Sequence, residues 1–196
     1  MDESIVICEK PDSLSWEQIS DVLVFSHAEN RKKGVFLPYP HLPPDEIRKK
    51  IEGKGVMLVA MKGVELVGTS AIVFIKRRIW CGSGKYAYCC FASVSPNHSG
   101  QGIYRRLLEE REKIALSRGY KRMLFDTHEG NSRVIAITKK AGFRPVDYRI
   151  RKDHNSILMA KWLDKQPYPD FVISLVFTLL RRSKLIQKGL KSAFHR

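Results

Sequence analysis

The order of apolar and polar runs in the middle of this 196-residue chain predicts an α/β fold. Residues 86–94 form a mostly apolar run that ends in a proline turn and a glycine-marked helix start. Residues 123–125 form a short buried-strand core, and residues 131–142 have apolar side chains at helical spacing before a closing glycine. The order of strand, loop, helix, strand and helix predicts two neighbouring parallel strands.

The amino-terminal part of the chain supplies the remaining elements. Ser15 is placed as the N-cap of a first helix, and Lys62 and Gly63 mark the turn of a hairpin. The expected elements are a strand over residues 4–9, a helix from about residue 16 to residue 30, a helix over 45–52, a hairpin over 56–68 and a third strand over 69–80.

The loop after residue 94 predicts an anion site. Its sequence, VSPNHSGQGIYRRLL, contains Gly100 and Gly102, which leave the backbone N–H groups unobstructed. The helix that begins near Ile103 directs its unpaired amides and the positive end of its dipole at the same place. A glycine turn before an ordinary surface helix is the alternative explanation of such a loop, so a second motif is needed.

Two motifs of this chain resemble those of the GNAT superfamily of N-acyltransferases, V-x-P-x-x-R-G-x-G-[IV]-[GA] and N-x-x-A-x-x-[LI]-Y-x-x-x-G-F. The matching positions are Val94, Pro96, Gly100, Gly102 and Ile103 for the first motif, and Asn131, Ile137, Gly142 and Phe143 for the second. The resemblance extends with less specificity over residues 4–163. It implies a mixed twisted sheet whose central parallel strands splay apart, with helices on both faces.

The resemblance also implies a co-substrate, acetyl-CoA by default, between the splayed strands. Ala92, Ser93 and Val94 would bond to the pantetheine amides, and a main-chain amide near Val94 would stabilise the oxyanion. The side chain of Asn131 would face the coenzyme. The diphosphate would be held by main-chain donors of the loop residues Ser99, Gly100, Gln101, Gly102, Ile103, Tyr104 and Arg105.

Three positions depart from the family pattern. Ser99 stands where the family usually has Arg or Gln, although its hydroxyl can still donate. Tyr104 replaces a small residue, which requires either a reshaped approach for the coenzyme or a phenol turned outward. Thr138 occupies the position of a tyrosine that is thought to protonate the leaving thiolate, so it is a catalytic candidate by position. A thiol with a pKa near ~8.5 leaves without full protonation, and the enzyme hypothesis therefore stands.

The attacking amine needs a base, because an amine with a pKa of ~10.4 is almost fully protonated at pH 7. Asp126, at the end of its strand, matches the position where some relatives carry a catalytic carboxylate; the alternative role is a turn or capping acceptor. His128 is the second candidate, with an ordinary pKa near ~6.5, and its alternative is a solvated loop side chain.

The net charge of +15 constrains the acceptor. A strongly basic protein repels polycations, so an amine on a small or anionic molecule is expected. In the family the region between the first two helices commonly borders the acceptor, which indicates the side chains of Arg31, Lys32, Phe36, Tyr39 and His41; an ordinary surface loop is the alternative.

The expected function is direct acyl transfer from acyl-CoA to an amine. The alternatives are a non-catalytic acyl-CoA binder and, on charge alone, nucleic-acid binding, which lacks a supporting motif.

Residues 167–196 are expected to be a basic amphipathic helical extension of a transferase domain over residues 1–166. From Phe171 onward the chain has six Lys or Arg residues and no acidic residue. Such a helix is expected first to pack on its own domain or contact a second copy, and second to lie on an anionic membrane. The apolar run 171–180 is too short to span a bilayer. Because the amino terminus does not resemble a signal peptide, we expect a cytoplasmic protein.

The four cysteines, Cys8, Cys81, Cys89 and Cys90, show no metal-binding spacing. We therefore expect reduced thiols and no metal centre. Because successive strand residues point to opposite faces, Cys89 and Cys90 are predicted to lie in different layers of the core.

Overall fold

The structure, a computed structural model of the chain, describes residues 4–32, 35, 43–76, 84–151, 154–165 and 168–194. In chain order its elements are β1 (Ile5–Glu9), α1 (Trp16–Lys32), α2 (Pro44–Ile51), β2 (Gly55–Lys62), β3 (Glu65–Lys76), β4 (Lys85–Val94), α3 (Ile103–Ser117), β5 (Arg122–His128), α4 (Ser132–Lys140), β6 (Arg144–Ile150), β7 (Asn155–Trp162) and α5 (Asp170–Phe194). The strands form one sheet in the order β1-β2-β3-β4-β5-β7-β6. Within these residues β4 and β5 pair in parallel and the other neighbours are antiparallel. The predicted fold class is confirmed.

Helices cover both faces of this sheet. On one face α3 packs through Ile103 and Leu107 against a core that includes Cys89. On the other face α1 and α2 pack through Leu23 and Ile47 against a core that includes Cys90. The two cysteines therefore lie in opposite layers, as predicted from strand alternation.

The central strands β4 and β5 splay apart after a short parallel contact. Their paired positions are Ala87 with Met123 and Tyr88 with Leu124. Beyond this contact β4 contains a bulge opposite β3, and Phe91 there has a left-handed φ of 52°. The hydroxyl of Thr69 donates to the carbonyl of Phe91 at 2.9 Å, which stabilises the bulge. The facing edges of the two strands are thereby opened for a ligand.

The structure corrects one predicted element. The second half of the expected hairpin and the expected third strand are one continuous strand, β3, and residues 77–80 of that prediction lie outside the described residues. Gly68 does not break this strand; a Cβ there would lie 3.1 Å from the carbonyl oxygen of Ser93 and 3.3 Å from Cγ2 of Ile103. The glycine therefore permits close packing between β3, β4 and α3.

The predicted start of α1 is confirmed in detail. The amide of Gln18 donates to Oγ of Ser15 at 3.3 Å, and the amide of Ser15 donates to Oε1 of Gln18 at 2.8 Å. These two bonds form a capping box, which satisfies two backbone donors at the helix end.

The carboxyl-terminal helix α5 packs one face on its own domain. Ile173 is buried in a cluster with residues of β5, β6 and β7. Lys184 pairs with Asp147 at 2.6 Å, and Arg181 pairs with Glu129 at 3.4 Å. In the part of the chain that is described, no helix has the length and apolar character needed to cross a bilayer.

Candidate active site

A cleft of about 500 Å³ opens where β4 and β5 diverge, and we call it the outer cleft. The strand contributes main-chain and side-chain groups of Ala92, Ser93 and Val94. Further lining residues come from α1, from the loop before α3 and from α4: Ser26, His27, Val35, Pro96, Ser99, Tyr104, Gly130, Asn131, Ser132, Arg133, Val134 and Ile137. Most of the predicted coenzyme residues are thus brought together at one opening.

The amino terminus of α3 presents free backbone donors beside this cleft, between the lining residues Ser99 and Tyr104. The other predicted loop residues are not among the described residues that line the cleft: Gly100, Gln101, Gly102, Ile103 and Arg105. Its N-cap residue, Gly102, has a left-handed φ of 73° and no side-chain cap, and the first helical bond runs from the amide of Arg106 to the carbonyl of Gly102. Gly100 also has a positive φ, of 85°. A Cβ at either glycine would meet nothing within 4 Å, so the space in front of the loop is open. The loop therefore has the geometry of an anion-binding helix terminus.

Ser99 replaces the Arg or Gln of the family pattern, and an arginine from another element lies beside it. Nη2 of Arg133, in the first turn of α4, donates to Oγ of Ser99 at 2.7 Å. Both residues line the outer cleft. A guanidinium is therefore present beside the loop, although it comes from α4 and not from position 99.

Asn131 and Thr138 lie in different surroundings on α4. Asn131 is the N-cap of this helix; Oδ1 accepts from the amide of Val134, and the residue lines the cleft. Thr138 is fully buried and its hydroxyl donates to the carbonyl of Val134 at 2.7 Å. The structure does not bring Thr138 into the group of residues that line the cleft, where Ile137 stands instead.

A smaller cavity of about 110 Å³ continues from the outer cleft between the splayed strands, and we call it the inner cavity. It shares five lining residues with the cleft: His27, Ala92, Tyr104, Asn131 and Val134. Its other lining residues are Tyr88, Cys89, Cys90, Phe91, Arg111, Phe125, Asp126 and Thr127. Cys89 and Phe125 belong to the layer under α3, whereas Tyr88 belongs to the opposite layer. The inner cavity is therefore lined by residues from both layers of the sheet.

Asp126 lies on the far side of this cavity from α3. Its Oδ2 accepts from the hydroxyl of Tyr88 and from Nη1 of Arg149, both at 2.9 Å. Its Oδ1 is buried and has no hydrogen-bond partner in the described structure, and the side chain is 17% exposed. One carboxylate oxygen is thus held in place, while the other is buried without a hydrogen-bond partner in the described structure.

His128 is a neighbour of the outer cleft, since its partner Gly130 lines that cleft. Its Nδ1 accepts from the amide of Gly130 at 2.9 Å, and its ring stacks on that of His154 with centroids 5.9 Å apart. Within the described part of the chain His128 is not among the residues that line the outer cleft or the inner cavity.

The phenol of Tyr104 turns inward and lines both spaces. Its ring lies 6.0 Å from the guanidinium carbon of Arg111, and burial raises the pKa of its hydroxyl. The sequence allowed either a phenol of Tyr104 turned away from the site or a phenol that narrows the space for the coenzyme. The structure has the second arrangement.

His27 is a site residue that the sequence analysis missed. It lines both the outer cleft and the inner cavity. Burial, together with the nearby charge of Arg31, lowers the pKa of His27 from 6.5 to about 4, so its imidazole is neutral at physiological pH. The spacing of the sequence could have indicated this position. His27 follows Ile19 and Leu23 at intervals of four, which places it on the buried side of α1.

The predicted acceptor region is described only in part. Arg31 and Lys32 lie in the last turn of α1, and Nη2 of Arg31 donates to the carbonyl of Val24 at 3.2 Å. The other three predicted residues, Phe36, Tyr39 and His41, lie outside the described residues. Among the residues with described positions, no group of three or more His, Cys, Asp or Glu side chains is arranged to hold a metal ion.

A second groove, of about 560 Å³, lies between the end of β6 and α5, and we call it the basic groove. It is lined by the cationic residues Arg149, Arg151, Lys184 and Lys188, together with Ile150 and Gln187. Arg149 connects it to the inner cavity, since the same guanidinium is bonded to Asp126.

The fold and the site define an α/β protein with an open helix terminus beside a splayed pair of parallel strands. The model of the acetyltransferase (GNAT) family matches residues 18–143, a range that contains both motifs. The chain belongs to this family. No curated protein sequence matches the chain.

Solved structures share the fold at low sequence identity. The PaiA N-acetyltransferase of Thermoplasma acidophilum, in complex with coenzyme A, is 20% identical with a TM-score of 0.65, over 81% of this chain and 99% of that one. A GNAT acetyltransferase of Elizabethkingia anophelis, with acetyl-CoA bound, is 16% identical with a TM-score of 0.58, over 83% and 100%. An aminoglycoside 6'-acetyltransferase type Ii is 19% identical with a TM-score of 0.64, over 83% and 99%.

Proposed function

We propose that the protein transfers an acyl group, acetyl by default, from acyl-CoA to the amine of a small or anionic acceptor. The observation that carries the proposal is the cavity between the splayed strands. The open helix amides lie beside the outer cleft, and the inner cavity, which shares lining residues with that cleft, includes Asp126. A donor and an acceptor can thus meet between the splayed strands.

The residues at the cleft fit coenzyme A. In our proposal the amides from Gly100 to Arg105 bind the diphosphate, because unpaired amides at a helix terminus favour anions. Ala92, Ser93 and Val94 bond to the pantetheine, and Arg133 adds positive charge beside the loop. The related structures that were solved with coenzyme A or acetyl-CoA support this assignment by fold.

The proposed reaction is a direct transfer. The neutral amine nitrogen attacks the thioester carbonyl, a C–N bond forms, the C–S bond breaks, and coenzyme A leaves as a thiolate. The proton of the attacking nitrogen passes to a base of the protein. An acyl-enzyme on cysteine is disfavoured, because burial raises the pKa of Cys89 and raises that of Cys90 to about 12.

Asp126 is the proposed base or ammonium-binding group. Its ordered Oδ2 and its unpartnered Oδ1, at the inner cavity, suit a carboxylate that binds the acceptor amine while the proton is removed. His27 is the second candidate from the structure, because its neutral imidazole lines both spaces. Catalytic roles for His128 and Thr138 stay predictions with less support, because neither residue is among the described residues that line the two spaces.

The basic groove supports an acceptor that carries negative charge. Arg151 and Lys188 are exposed in it, and Arg149 joins it to Asp126. An amine on a phosphate-bearing molecule would place its anionic part in the groove and its nitrogen near Asp126. The net charge of +15 acts in the same direction.

Calorimetry and a thiol-release assay test the proposal. We expect coenzyme A to bind, and we expect turnover with an amino sugar phosphate to exceed turnover with the uncharged amino sugar. The variant Arg151→Glu with Lys188→Glu should remove that preference, while Arg118→Glu, on the opposite layer, should keep it. Binding of coenzyme A without turnover on any amine would favour the non-catalytic binder. Preference for basic peptides would contradict the anionic acceptor.

We also propose that residues 167–196 extend a transferase domain of residues 1–166 and contact an anionic membrane surface. The outer face of α5 exposes Phe171, Leu175, Leu179 and Ile186 by 56–71%, and Asp170 is the last acidic residue of the chain. An apolar stripe among cations suits an anionic bilayer better than a second copy with the same charge. Reduced Cys8, Cys89 and Cys90 fit a cytoplasmic location, which also stays a proposal.

Vesicle co-sedimentation tests the membrane contact. Because Ile173 of α5 is buried in the domain, substitutions are preferable to deletion of the helix. We expect wild-type protein to sediment with anionic phosphatidylglycerol vesicles and the variant Leu175→Gln, Leu179→Gln, Ile186→Gln to remain in the supernatant. A dimer that the same substitutions dissociate, without vesicle binding by the wild type, would assign the face to a second copy.

A further inference from the structure

A buried guanidinium lines the inner cavity. Arg111, in the third turn of α3, is 2% exposed, and its Nε has no hydrogen-bond partner in the described structure. Its guanidinium carbon lies 6.0 Å from the centroid of the Tyr104 ring. Because a guanidinium remains protonated in proteins, the inner cavity carries a permanent positive charge.

This charge has no anionic partner among the residues whose positions are described. The ionisable groups around Arg111 are the thiols of Cys89 and Cys90 and the phenol of Tyr104. Burial raises the pKa of all three, so they are neutral at physiological pH. Glu112, the next residue, pairs with Lys161 at 2.6 Å instead. A buried charge without a counter-charge is strongly unfavourable, and protein interiors normally pair such groups.

We propose that the inner cavity receives a carboxylate that pairs with Arg111, and that this carboxylate ends a short dicarboxylic acyl group on coenzyme A, such as malonyl. The inference rests on the proposed acyl-CoA function. The cavity of about 110 Å³ is small, so the group that enters it beside Arg111 must be short. A methylene and a carboxylate beyond the thioester carbonyl are such a group.

The position of Arg111 favours the acyl group over the acceptor as the source of the carboxylate. Arg111 projects from α3, the same helix whose amino terminus faces the outer cleft. The cavity and the cleft are continuous through Tyr104 and Asn131. Asp126 lines the same cavity on the side away from α3, where its Oδ2 pairs with Arg149. Because Asp126 attracts an amine and repels a carboxylate, we place the acyl carboxylate beside Arg111 and the amine beside Asp126.

Binding measurements with four coenzyme A species test the inference on the full chain. We expect wild-type protein to bind malonyl-CoA at least about tenfold more tightly than acetyl-CoA or butyryl-CoA, as a charge-assisted bidentate pair allows. In Arg111→Met the ratio between malonyl-CoA and acetyl-CoA should fall to about one. The control Lys113→Met, which removes one exposed positive charge from the same helix, should keep the wild-type ratio.

The ligand series decides the question even if Arg111→Met unfolds, because malonyl and butyryl groups differ in charge more than in size. Equal wild-type affinity for malonyl-CoA and acetyl-CoA would overturn the inference, provided that coenzyme A itself binds. Failure of coenzyme A to bind would instead overturn the proposed function. Turnover that prefers amino acids to their methyl esters, without a malonyl preference, would assign the carboxylate to the acceptor and overturn the acyl assignment.

Discussion

The outer cleft and the inner cavity are built from different parts of the chain. The cleft depends on main-chain geometry, since Gly100 and Gly102 shape a loop whose amides face open space. The inner cavity depends on side chains from separate elements, His27 of α1, Asp126 of β5 and Arg111 of α3. A surface made by the backbone tolerates changes of side chain, whereas a cavity made by side chains changes its chemistry with each substitution. Coenzyme binding should therefore persist across variants that alter turnover.

The sharpest test of this division is Asp126→Asn. We expect turnover to fall between a hundredfold and a thousandfold, because the amide cannot accept the proton of the attacking amine. The affinity for coenzyme A should change by less than about twofold. Steady-state kinetics and calorimetry on the same preparation separate the two quantities. Turnover above half of the wild-type value would make Asp126 a structural acceptor for Tyr88 and Arg149.

His27, which lines the inner cavity, should make the free energy of unfolding depend on pH in the acid range. Because the pKa of His27 is lowered from 6.5 to about 4 in the folded state, the unfolded chain binds this proton more readily. The stability that the neutral imidazole contributes is present above pH 6.5 and is lost as the pH falls toward 4, by up to about 3 kcal/mol. Urea unfolding of wild type and His27→Gln between pH 4 and pH 8 measures it. Parallel curves for the two proteins would contradict the burial of a neutral imidazole.

The backbone origin of the cleft predicts that Gly102→Val weakens coenzyme A binding about thirtyfold. A β-branched residue is strained at a φ of 73°, so the loop must shift and the helix amides turn away from the ligand. The neighbouring change Gln101→Ala should leave the affinity within about twofold, because only the main chain of residue 101 is used. A large effect of Gln101→Ala would show that side chains build the cleft after all.

Arg133 is the charged side chain that we place beside the backbone loop. Arg133→Ala should weaken coenzyme A binding about fivefold and reduce its salt dependence, because one phosphate-directed charge is lost. Lys140→Ala, at the other end of α4, is the matched control. The measurement is calorimetry at two ionic strengths, and equal losses for both variants would reduce Arg133 to a general contribution to net charge.

The smallest effect is expected for Thr138→Val. The substitution removes a hydroxyl that is bonded within α4, which should reduce stability by about 1 kcal/mol. Turnover should stay within about twofold, because the side chain is fully buried away from the cleft. A tenfold loss of turnover at unchanged stability would restore the catalytic role that its position in the motif implies.

The sequence allowed the parallel pair, the glycine loop before α3 and the N-cap Ser15 to be predicted, because each follows from local periodicity, glycine placement or capping chemistry. It did not allow the side-chain cavity to be predicted, because His27, Arg111 and Asp126 meet only through the topology of the sheet. The prediction that β3 is two separate strands, divided after Gly68, was wrong for a related reason. The glycine does not end the strand; it allows Ser93 and Ile103, which come from other elements, to approach closely.

The cavity between the splayed strands has a kinetic consequence. If the two reactants approach it from opposite sides, neither blocks the entry of the other, and both must be present before the C–N bond forms. Initial-rate plots should then intersect rather than run parallel. Free coenzyme A should compete with the thioester, yet it should act as a noncompetitive inhibitor toward the amine.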